Sequence, residues 1–326
     1  MTAYLARRAW QTVPLLLGIS LVSFAVIHLA PGDPVGILAE RTAPPEEVAR
    51  VRAVYGLDRP IPVQYWMWLS RAVRGDFGRS YVEGRPVMDM ILERLPNTLY
   101  LSVVVLLVVY VLAIPAGIVS ALKQYSRMDH AVTGLAFWGQ AMPSFWFAYL
   151  LVFFVALRVD FIPVAGMATY GVTLTTTGWW GVLVDRARYL ILPVTVMGFG
   201  SMATVTRYMR SSMLEVVRQD YIRTARSKGL AERIVIYKHA LGNALLPIVT
   251  LLGFELPILF SGSVIIEFIF SWPGVGTLAL RAMFQRDYQV VMAFNTVGAV
   301  LMVLGHFISD ILYLVVDPRI KYIEKG

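Results

Sequence analysis

The ionisable residues that interrupt the apolar stretches of this sequence are its first candidates for chemistry. Glu255 lies within the apolar stretch 244–268, between Pro247 and Pro257. A charge inside a membrane segment is costly, so such residues are functional candidates. Two roles for Glu255 stay open. It is either a carboxylate bonded to a neighbouring helix, or a residue on a solute pathway that meets a substrate amine or gates a pore.

A second pair of ionisable residues, His306 and Asp310, is separated by four positions in the last apolar stretch. Residues four apart share one face of a helix, so these two side chains can pair. Their position near the end of the stretch favours a structural pair, and ion coupling is the alternative.

No arrangement of residues in the sequence indicates a catalytic site. There is no Gly-x-x-x-x-Gly-Lys-Ser/Thr nucleotide loop and no combination of nucleophile and base. The chain has no cysteine, and its four histidines do not have metal-site spacing. We expect no catalytic residue, metal or cofactor, so an ATPase driving this protein would be another polypeptide.

The longest polar interruption in the second half of the chain is the stretch 215–247. Residues 220–226 are predicted to form about two helical turns, with Tyr221, Ile222 and Ala225 on one face. Gly229 is predicted to end this helix in the left-handed conformation. The basic residues favour either anionic lipid or a groove on a soluble protein. A small residue and a glycine favour the protein, because lipid attraction needs neither.

Composition indicates the class of protein that must position these residues. Apolar residues make up 57% of the chain and charged residues only 15%. Several uninterrupted runs reach the roughly 20 residues that cross a bilayer as a helix. The net charge of +8 is explained by loop charges that set membrane topology, rather than by nucleic-acid binding. The sequence therefore predicts an all-α polytopic membrane protein.

Six transmembrane helices are predicted, the first as a retained span rather than a cleaved signal peptide. The others lie at about 97–121, 132–156, 189–211, 244–268 and 288–316. The predicted organisation is a first span in 1–31, a helical extracytoplasmic segment in 32–95, a five-helix core in 96–316 with a cytoplasmic loop at 212–243, and a cytoplasmic tail in 317–326. The lysines place both termini in the cytoplasm, because Lys123, Lys228, Lys238, Lys321 and Lys325 then share one side.

Two further features concern the ends and bends of the spans. Prolines recur within the spans and are either tolerated kinks or hinges of an opening pore; they are Pro115, Pro143, Pro193, Pro247 and Pro257. Trp272, Pro273 and Gly274 force a turn that is predicted at the outer surface. This turn is either a simple connection or a rigid aromatic tip that contacts an external partner.

The ordered motifs of the chain resemble the dipeptide/oligopeptide permease family of bacterial ABC transporters. The motifs are APGDP at 30–34, YGLDRP at 55–60, GDFG at 75–78, LPNT at 95–98, DYIRTARSKGL at 220–230, NALLP at 243–247, FSWPGVG at 270–276 and DPR at 317–319. The 220–230 motif resembles the cytoplasmic coupling loop, or EAA loop, of ABC importers. Arg223, Thr224 and Ala225 stand where the wider superfamily has Glu-Ala-Ala, so a glutamate contact cannot be transferred.

The resemblance implies one permease subunit of a type I ABC importer in the bacterial cytoplasmic membrane. Its implied partners are a second, homologous permease subunit, two ABC ATPase subunits and an extracytoplasmic solute-binding protein. It also implies which residues contact the ATPase: Asp220, Tyr221, Arg223, Thr224, Ala225, Lys228, Gly229 and Glu232. The outer segment and the turn Trp272, Pro273 and Gly274 would receive the binding protein. The alternative is a self-sufficient secondary transporter or channel that uses Glu255 and Asp310; a membrane enzyme is less supported.

Overall fold

A computed structural model of the chain describes residues 2–29, 46, 49–50, 52–53, 56–261 and 263–316, with backbone alone at 2–9, 256–261 and 310–316. Most of these residues form helices, and the β-structure among the described residues is one isolated bridge between Arg79 and Pro86. The helices are Thr2–Leu29, Ile61–Ala72, Val87–Leu122, Arg127–Ala141, Ser144–Leu151, Leu174–Val217, Asp220–Ser227, Glu232–Ile234, Leu241–Ala244, Leu246–Ser261, Val264–Ile269, Val275–Gln285 and Tyr288–Val316. Two π-helical segments, Val152–Ala156 and Val235–Ala240, connect neighbouring helices.

The predicted all-helical fold with its membrane spans is confirmed. In the described part of the chain, four helices are long and apolar enough to cross a membrane, judged by length and composition. Two pairs of helices bent at a short break also qualify when each pair counts as one span, which gives up to six. Helices suit this setting because each satisfies its own backbone hydrogen bonds where no water is present.

Pro143 breaks the predicted span 132–156 into two helices. The segments Arg127–Ala141 and Ser144–Ala156 meet at an angle of 107°. Met142 is extended, with φ −86° and ψ 125°, because the ring of a following proline disfavours helical geometry. Residues 232–255 also bend, by 44° at Leu245. Pro143 therefore marks a true break and not a mild kink.

Helices extend into two stretches that were predicted as loops. The helix Leu174–Val217 begins inside the predicted loop 157–188, where Thr173 and Thr176 form a reciprocal capping box. Gly178 interrupts its first turns with φ 67°, a conformation that suits glycine. The helix Val275–Gln285 occupies most of the predicted loop 269–287. The first part of helix Leu174–Val217 and the whole of helix Val275–Gln285 were missed, because these sequences are too short or too mixed in polarity to be recognised as spans.

The chain divides into two compact units. The first unit comprises Met1–Thr98 and Pro273–Leu304, and the second comprises Leu99–Trp272 and Gly305–Gly326. In the first unit, Trp68 is 4% exposed and packs inside the protein, whereas Trp66 on the same helix is 69% exposed. Within the segment 32–95, which was predicted to be helical, the helix Ile61–Ala72 is present.

Close helix packing characterises the second unit. Ala113, Gly117 and Ala121, spaced four apart, are all buried on helix Val87–Leu122. A methyl group added at Gly117 would lie 2.6 Å from the Cβ of Met209 on helix Leu174–Val217. Small residues at this spacing let two membrane helices approach closely. The same helix Leu174–Val217 leads directly to the polar loop.

Candidate functional site

The polar loop begins with a short helix, Asp220–Ser227, which we call the loop helix. Asp220 in its first turn interacts favourably with the helix dipole. The helix has the predicted length of two turns. Gly229 follows with φ +72°, so the predicted left-handed end is confirmed. No atom lies within 4 Å of a Cβ built on Gly229, so the backbone angle and not crowding favours glycine there.

One face of the loop helix is buried against its own chain. Ile222 is 0% exposed and Ala225 is 7% exposed. Both belong to an apolar cluster that includes Met213, Val235 and Ala240. Ala225 therefore contacts its own chain, so in this structure it does not offer a small residue to a partner. This packing fixes the loop helix to the helices on either side of it.

Tyr221 does not share that buried face, contrary to the prediction. Tyr221 is 44% exposed, and its hydroxyl accepts a hydrogen bond of 3.0 Å from Nδ2 of Asn243. Asn243 lies in helix Leu241–Ala244, immediately before the fifth span. Tyr221 therefore connects the loop helix to the beginning of that span.

The outward face of the loop helix is polar and open. The side chains of Asp220 and Arg223 are 94% and 77% exposed and form an ion pair of 3.5 Å. Thr224, Lys228 and Gly229 are also exposed. A weak ion pair between such open side chains contributes little stability, so these residues remain available to a partner.

Glu232 pairs with its own chain across the turn at Gly229. Its carboxylate accepts two hydrogen bonds from Arg226, of 2.7 Å from Nη2 and 3.2 Å from Nε. This hydrogen bonding raises the pKa of Arg226, which keeps the pair charged at neutral pH. The pair was missed in the sequence because the shape of the glycine turn sets which side chains meet. Glu232 thus braces the loop, with its side chain still 55% exposed.

Glu255 lines a cavity of about 430 Å³ in the second unit. The wall around it combines apolar side chains with hydroxyl groups, including Ser102, Phe147, Met197 and Ser201. Glu255 is half-buried, and no hydrogen bond or ion pair joins it to another described residue. Of the two roles left open by the sequence, this geometry favours a wall residue over a bonded structural carboxylate. The predicted pairing of His306 with Asp310 stays a prediction, because the side chain of Asp310 is not among those that the structure describes.

Of the two alternatives for the turn at Trp272, the exposed aromatic tip is wrong. Trp272 is 0% exposed and stacks on Tyr100 with ring centroids 6.3 Å apart. Its amide donates a 2.7 Å hydrogen bond to the carbonyl of Glu267. Pro273 is exposed and Gly274 is buried. Turn-forming residues identify a bend in the sequence, but they do not decide whether its aromatic side chain points outward.

Two family models match the chain. The model described as "Binding-protein-dependent transport system inner membrane component" matches residues 113–322, and the corresponding N-terminal model matches residues 1–102. The chain belongs to this family. It is therefore a multi-pass transport permease of the inner-membrane component type, and not a member of a known enzyme family.

Similar permeases align with the whole chain. The oligopeptide transport system permease protein AppB of Bacillus subtilis is 43% identical and covers 99% of this chain and 100% of its own length. The dipeptide transport system permease protein DppB of Escherichia coli K12 is 38% identical, with 99% of each chain covered. A structure of the MetNI methionine ABC transporter shares the fold, at a TM-score of 0.55 and 15% identity over 71% of this chain and 97% of that one. The type I ABC importer permease fold is thereby confirmed.

A buried ionic cluster of this permease was missed in the sequence. Asp129, 2% exposed, accepts hydrogen bonds of 2.7 and 2.8 Å from Arg210. Ser120 and the amide of Tyr125 also donate to it. The cluster joins helices Val87–Leu122, Arg127–Ala141 and Leu174–Val217, and the last of these leads to the loop helix. Asp129 and Arg210 stand at the ends of predicted spans, and opposite charges at such ends are the signal that could have found them.

Proposed function

We propose that this chain is the transmembrane permease subunit of an ATP-driven importer for dipeptides or oligopeptides. Two relatives named as dipeptide and oligopeptide permeases align over its whole length, at 38% and 43% identity. This observation carries the proposal. The chain would form half of the translocation pathway, with a second, homologous permease subunit forming the other half.

The loop helix is the proposed coupling element to an ABC ATPase subunit. Its buried face, held by Ile222 and Ala225, ties it to the rest of the second unit. Its open face presents Asp220, Arg223, Thr224 and Lys228 to a groove on the ATPase. A helix that is fixed on one side and docked on the other transmits ATPase movement as a rigid lever.

The cavity at Glu255 is the proposed site of solute passage. A peptide carries an ammonium group at its amino end, and Glu255 supplies a carboxylate in a wall that is otherwise apolar or neutral. The partly buried setting strengthens this attraction relative to water. The cavity of about 430 Å³ has the size of a small-molecule site.

The remaining partners and the orientation follow from the same proposal. Two ATPase subunits would lie on the cytoplasmic side, where the loop helix and both chain termini are placed by the lysine distribution. A solute-binding protein would deliver peptides to the segment 32–95 and to the turn at Pro273. Because Trp272 is buried, Pro273 and not the tryptophan would supply the contact in this turn.

Charge reversal on the loop helix tests the proposal. The complete importer is reconstituted with Arg223→Glu or Lys228→Glu, and peptide-stimulated ATP hydrolysis and uptake are measured. Arg158→Glu, at an exposed arginine outside both the loop helix and the segment 32–95, is the matched control. We expect a fall of about tenfold or more in both loop-helix variants, in the range for a central interface residue, and no change in the control.

Two results would contradict the proposal at different points. Undiminished stimulation in both loop-helix variants removes the docking role of the loop helix. The second result is ion-gradient-driven uptake by the purified chain alone in liposomes, with no increase when ATPase subunits are added. It would show that the chain is a secondary transporter and not part of an ATP-driven importer.

A further inference from the structure

A polar groove lies between helices Arg127–Ala141 and Leu174–Val217 in the second unit. Its volume is about 200 Å³, and its polar lining includes Thr133, Gln140 and Arg207. None of its described lining residues carries a carboxylate. The groove therefore offers hydrogen-bond donors and positive charge to a ligand.

Arg207 carries a charge in this groove that its own chain does not neutralise. It lies inside the predicted span 189–211, and its Nη1 donates a 3.0 Å hydrogen bond to Oε1 of Gln140. It forms no ion pair with a described carboxylate, whereas Arg210, three residues further along, is paired with Asp129. A guanidinium has five N–H donors, so the bond to Gln140 leaves others for a ligand. A charge inside a membrane segment is costly, and such residues mark the paths of solutes.

Gln140 holds the guanidinium of Arg207 in the groove. Its Oε1 accepts from Arg207, and its Nε2 donates a 3.2 Å hydrogen bond to Oγ1 of Thr204. Thr204 lies about one turn before Arg207 on the same helix. The three side chains form a connected set of hydrogen bonds between the two helices, which positions the charge without cancelling it.

The groove continues a wall of the cavity at Glu255. Gly200, Thr204 and Arg207 are spaced four and three residues apart, so they share one face of helix Leu174–Val217. Gly200 lines the cavity at Glu255, and Arg207 lines the groove. One helix face therefore leads from the carboxylate-bearing cavity to the guanidinium.

The facing helix shows the same continuity. Gly139 lines the cavity, and its neighbour Gln140 lines the groove. Along helix Leu174–Val217, the seven-residue step from Gly200 to Arg207 is a rise of about 10 Å. An extended peptide spans about 3.3–3.6 Å per residue, so a peptide of two or three residues matches a distance of this size.

We infer that Arg207 binds the carboxylate of a transported peptide, as a second polar site on the path that begins at Glu255. The inference rests on the proposed function, because it takes the ligand to be the transported solute. Helix Leu174–Val217 runs towards the predicted cytoplasmic loop, so Arg207 lies nearer the cytoplasm than Gly200 does. A guanidinium matches a carboxylate in geometry as well as in charge. Glu255 and Arg207 are thus complementary to the two charged ends of a peptide.

Protection of a thiol beside Arg207 tests the inference. The reporter is Thr204→Cys, in a chain that has no cysteine of its own. The complete importer is assembled with cysteine-free partner subunits in nanodiscs, without the solute-binding protein. Labelling by an uncharged methanethiosulfonate is timed in the presence of alanyl-leucine or of its carboxyl-terminal amide. Ser70→Cys, exposed in the first unit, is the control thiol, because it lines neither the groove nor the cavity.

Three variants are combined with the reporter thiol. Arg207→Gln removes the charge, and Arg207→Lys keeps it. Arg158→Gln removes an exposed arginine that lines neither the groove nor the cavity, and it is the matched control. With Arg207 present, we expect alanyl-leucine to protect at a concentration about tenfold or more below that required of the amide. Arg207→Gln should abolish this difference, Arg207→Lys should retain part of it, and Arg158→Gln should leave it unchanged.

Several outcomes overturn the inference. Equal protection by alanyl-leucine and its amide does so, and so does the absence of protection. Faster labelling in nanodiscs that lack anionic lipid, without an effect of peptide, assigns the anion to a phospholipid headgroup instead. Loss of the second permease subunit from the purified Arg207→Gln complex assigns it to a carboxylate of that subunit.

A parallel measurement separates this inference from the proposed function. ATP-driven peptide uptake is measured in proteoliposomes with the solute-binding protein present. Uptake by the Thr204→Cys importer without any protection of its thiol rejects the site at Arg207 alone. The absence of ATP-driven peptide uptake by the unchanged importer rejects the proposed function.

Discussion

Glu255 and Asp129 are two acidic residues of the second unit in opposite circumstances. Asp129 is almost fully buried and receives hydrogen bonds from Arg210, Ser120 and the amide of Tyr125. Glu255 is half-buried at a cavity wall, without a hydrogen bond or ion pair from another described residue. Removing one partner of a buried charge pair destabilises a fold strongly, whereas a carboxylate without partners carries a desolvation cost that a ligand can offset. The contrast supports a structural role for Asp129 and a solute-binding role for Glu255.

Replacing Glu255 by its neutral isostere separates charge from shape. With Glu255→Gln, we expect the preference for peptides with a free amino terminus over N-acetylated peptides to fall on the order of tenfold, because one partner of a partly buried charge pair is lost. Glu255→Asp keeps the charge and should retain most of the preference. The measurement is competition between alanyl-leucine and N-acetyl-alanyl-leucine for ATP-driven uptake. An unchanged preference in Glu255→Gln would show that this carboxylate does not meet the amine.

At the scale of elements, helix Val87–Leu122 and helix Leu174–Val217 approach closely through small residues. A Cβ at Gly117 would lie 2.6 Å from Cβ of Met209 and 2.8 Å from the carbonyl oxygen of Thr206. The backbone oxygen cannot move without shifting its helix. Thr206 also donates a 3.4 Å hydrogen bond to the carbonyl of Ala113, one helical turn before Gly117. The pair of helices therefore depends on the absence of a side chain at residue 117.

Gly117→Ala should destabilise the protein, and Gly134→Ala should not. Overpacking a close interface costs about 1–3 kcal/mol, so a lower unfolding temperature in detergent is expected. Gly134 lies in helix Arg127–Ala141 with no atom within 4 Å of an added Cβ. There the higher helix propensity of alanine gives up to about 1 kcal/mol of stabilisation. Equal shifts of the two variants in the same direction would contradict the close contact at Gly117.

The apolar spans and the end of the loop helix were predictable because both depend on local sequence. Hydropathy locates membrane segments, and Gly229 ends the loop helix through its own backbone angle. The partners of Asp129 and Glu232 were not predictable in this way. Asp129 meets Arg210 across 81 positions of the chain, and Glu232 meets Arg226 only after the glycine turn has reversed direction. The burial of Trp272 likewise depends on packing with Tyr100, which turn chemistry does not encode.

At the scale of the whole molecule, the distribution of lysines predicts its orientation in the membrane. The loop helix is placed in the cytoplasm, and the segment that contains helix Ile61–Ala72 is placed outside. The proposed function requires this orientation, because ATP is hydrolysed inside and the solute-binding protein is found outside. The absence of cysteine from the sequence makes the orientation directly testable, since any introduced thiol is unique.

Single serine-to-cysteine variants should report the orientation through labelling with a membrane-impermeant maleimide. Ser227→Cys on the exposed face of the loop helix should react in inside-out vesicles only, and Ser70→Cys, also exposed, in right-side-out vesicles only. Ser120 is 0% exposed, so Ser120→Cys should react only after denaturation. This variant serves as the control for access of the reagent to the thiol. Assembly with the ATPase subunits should protect Ser227→Cys and leave Ser70→Cys reactive, because the loop helix then lies in a groove. Labelling of Ser227→Cys from outside would reverse the topology and remove the loop helix from any contact with a cytoplasmic ATPase.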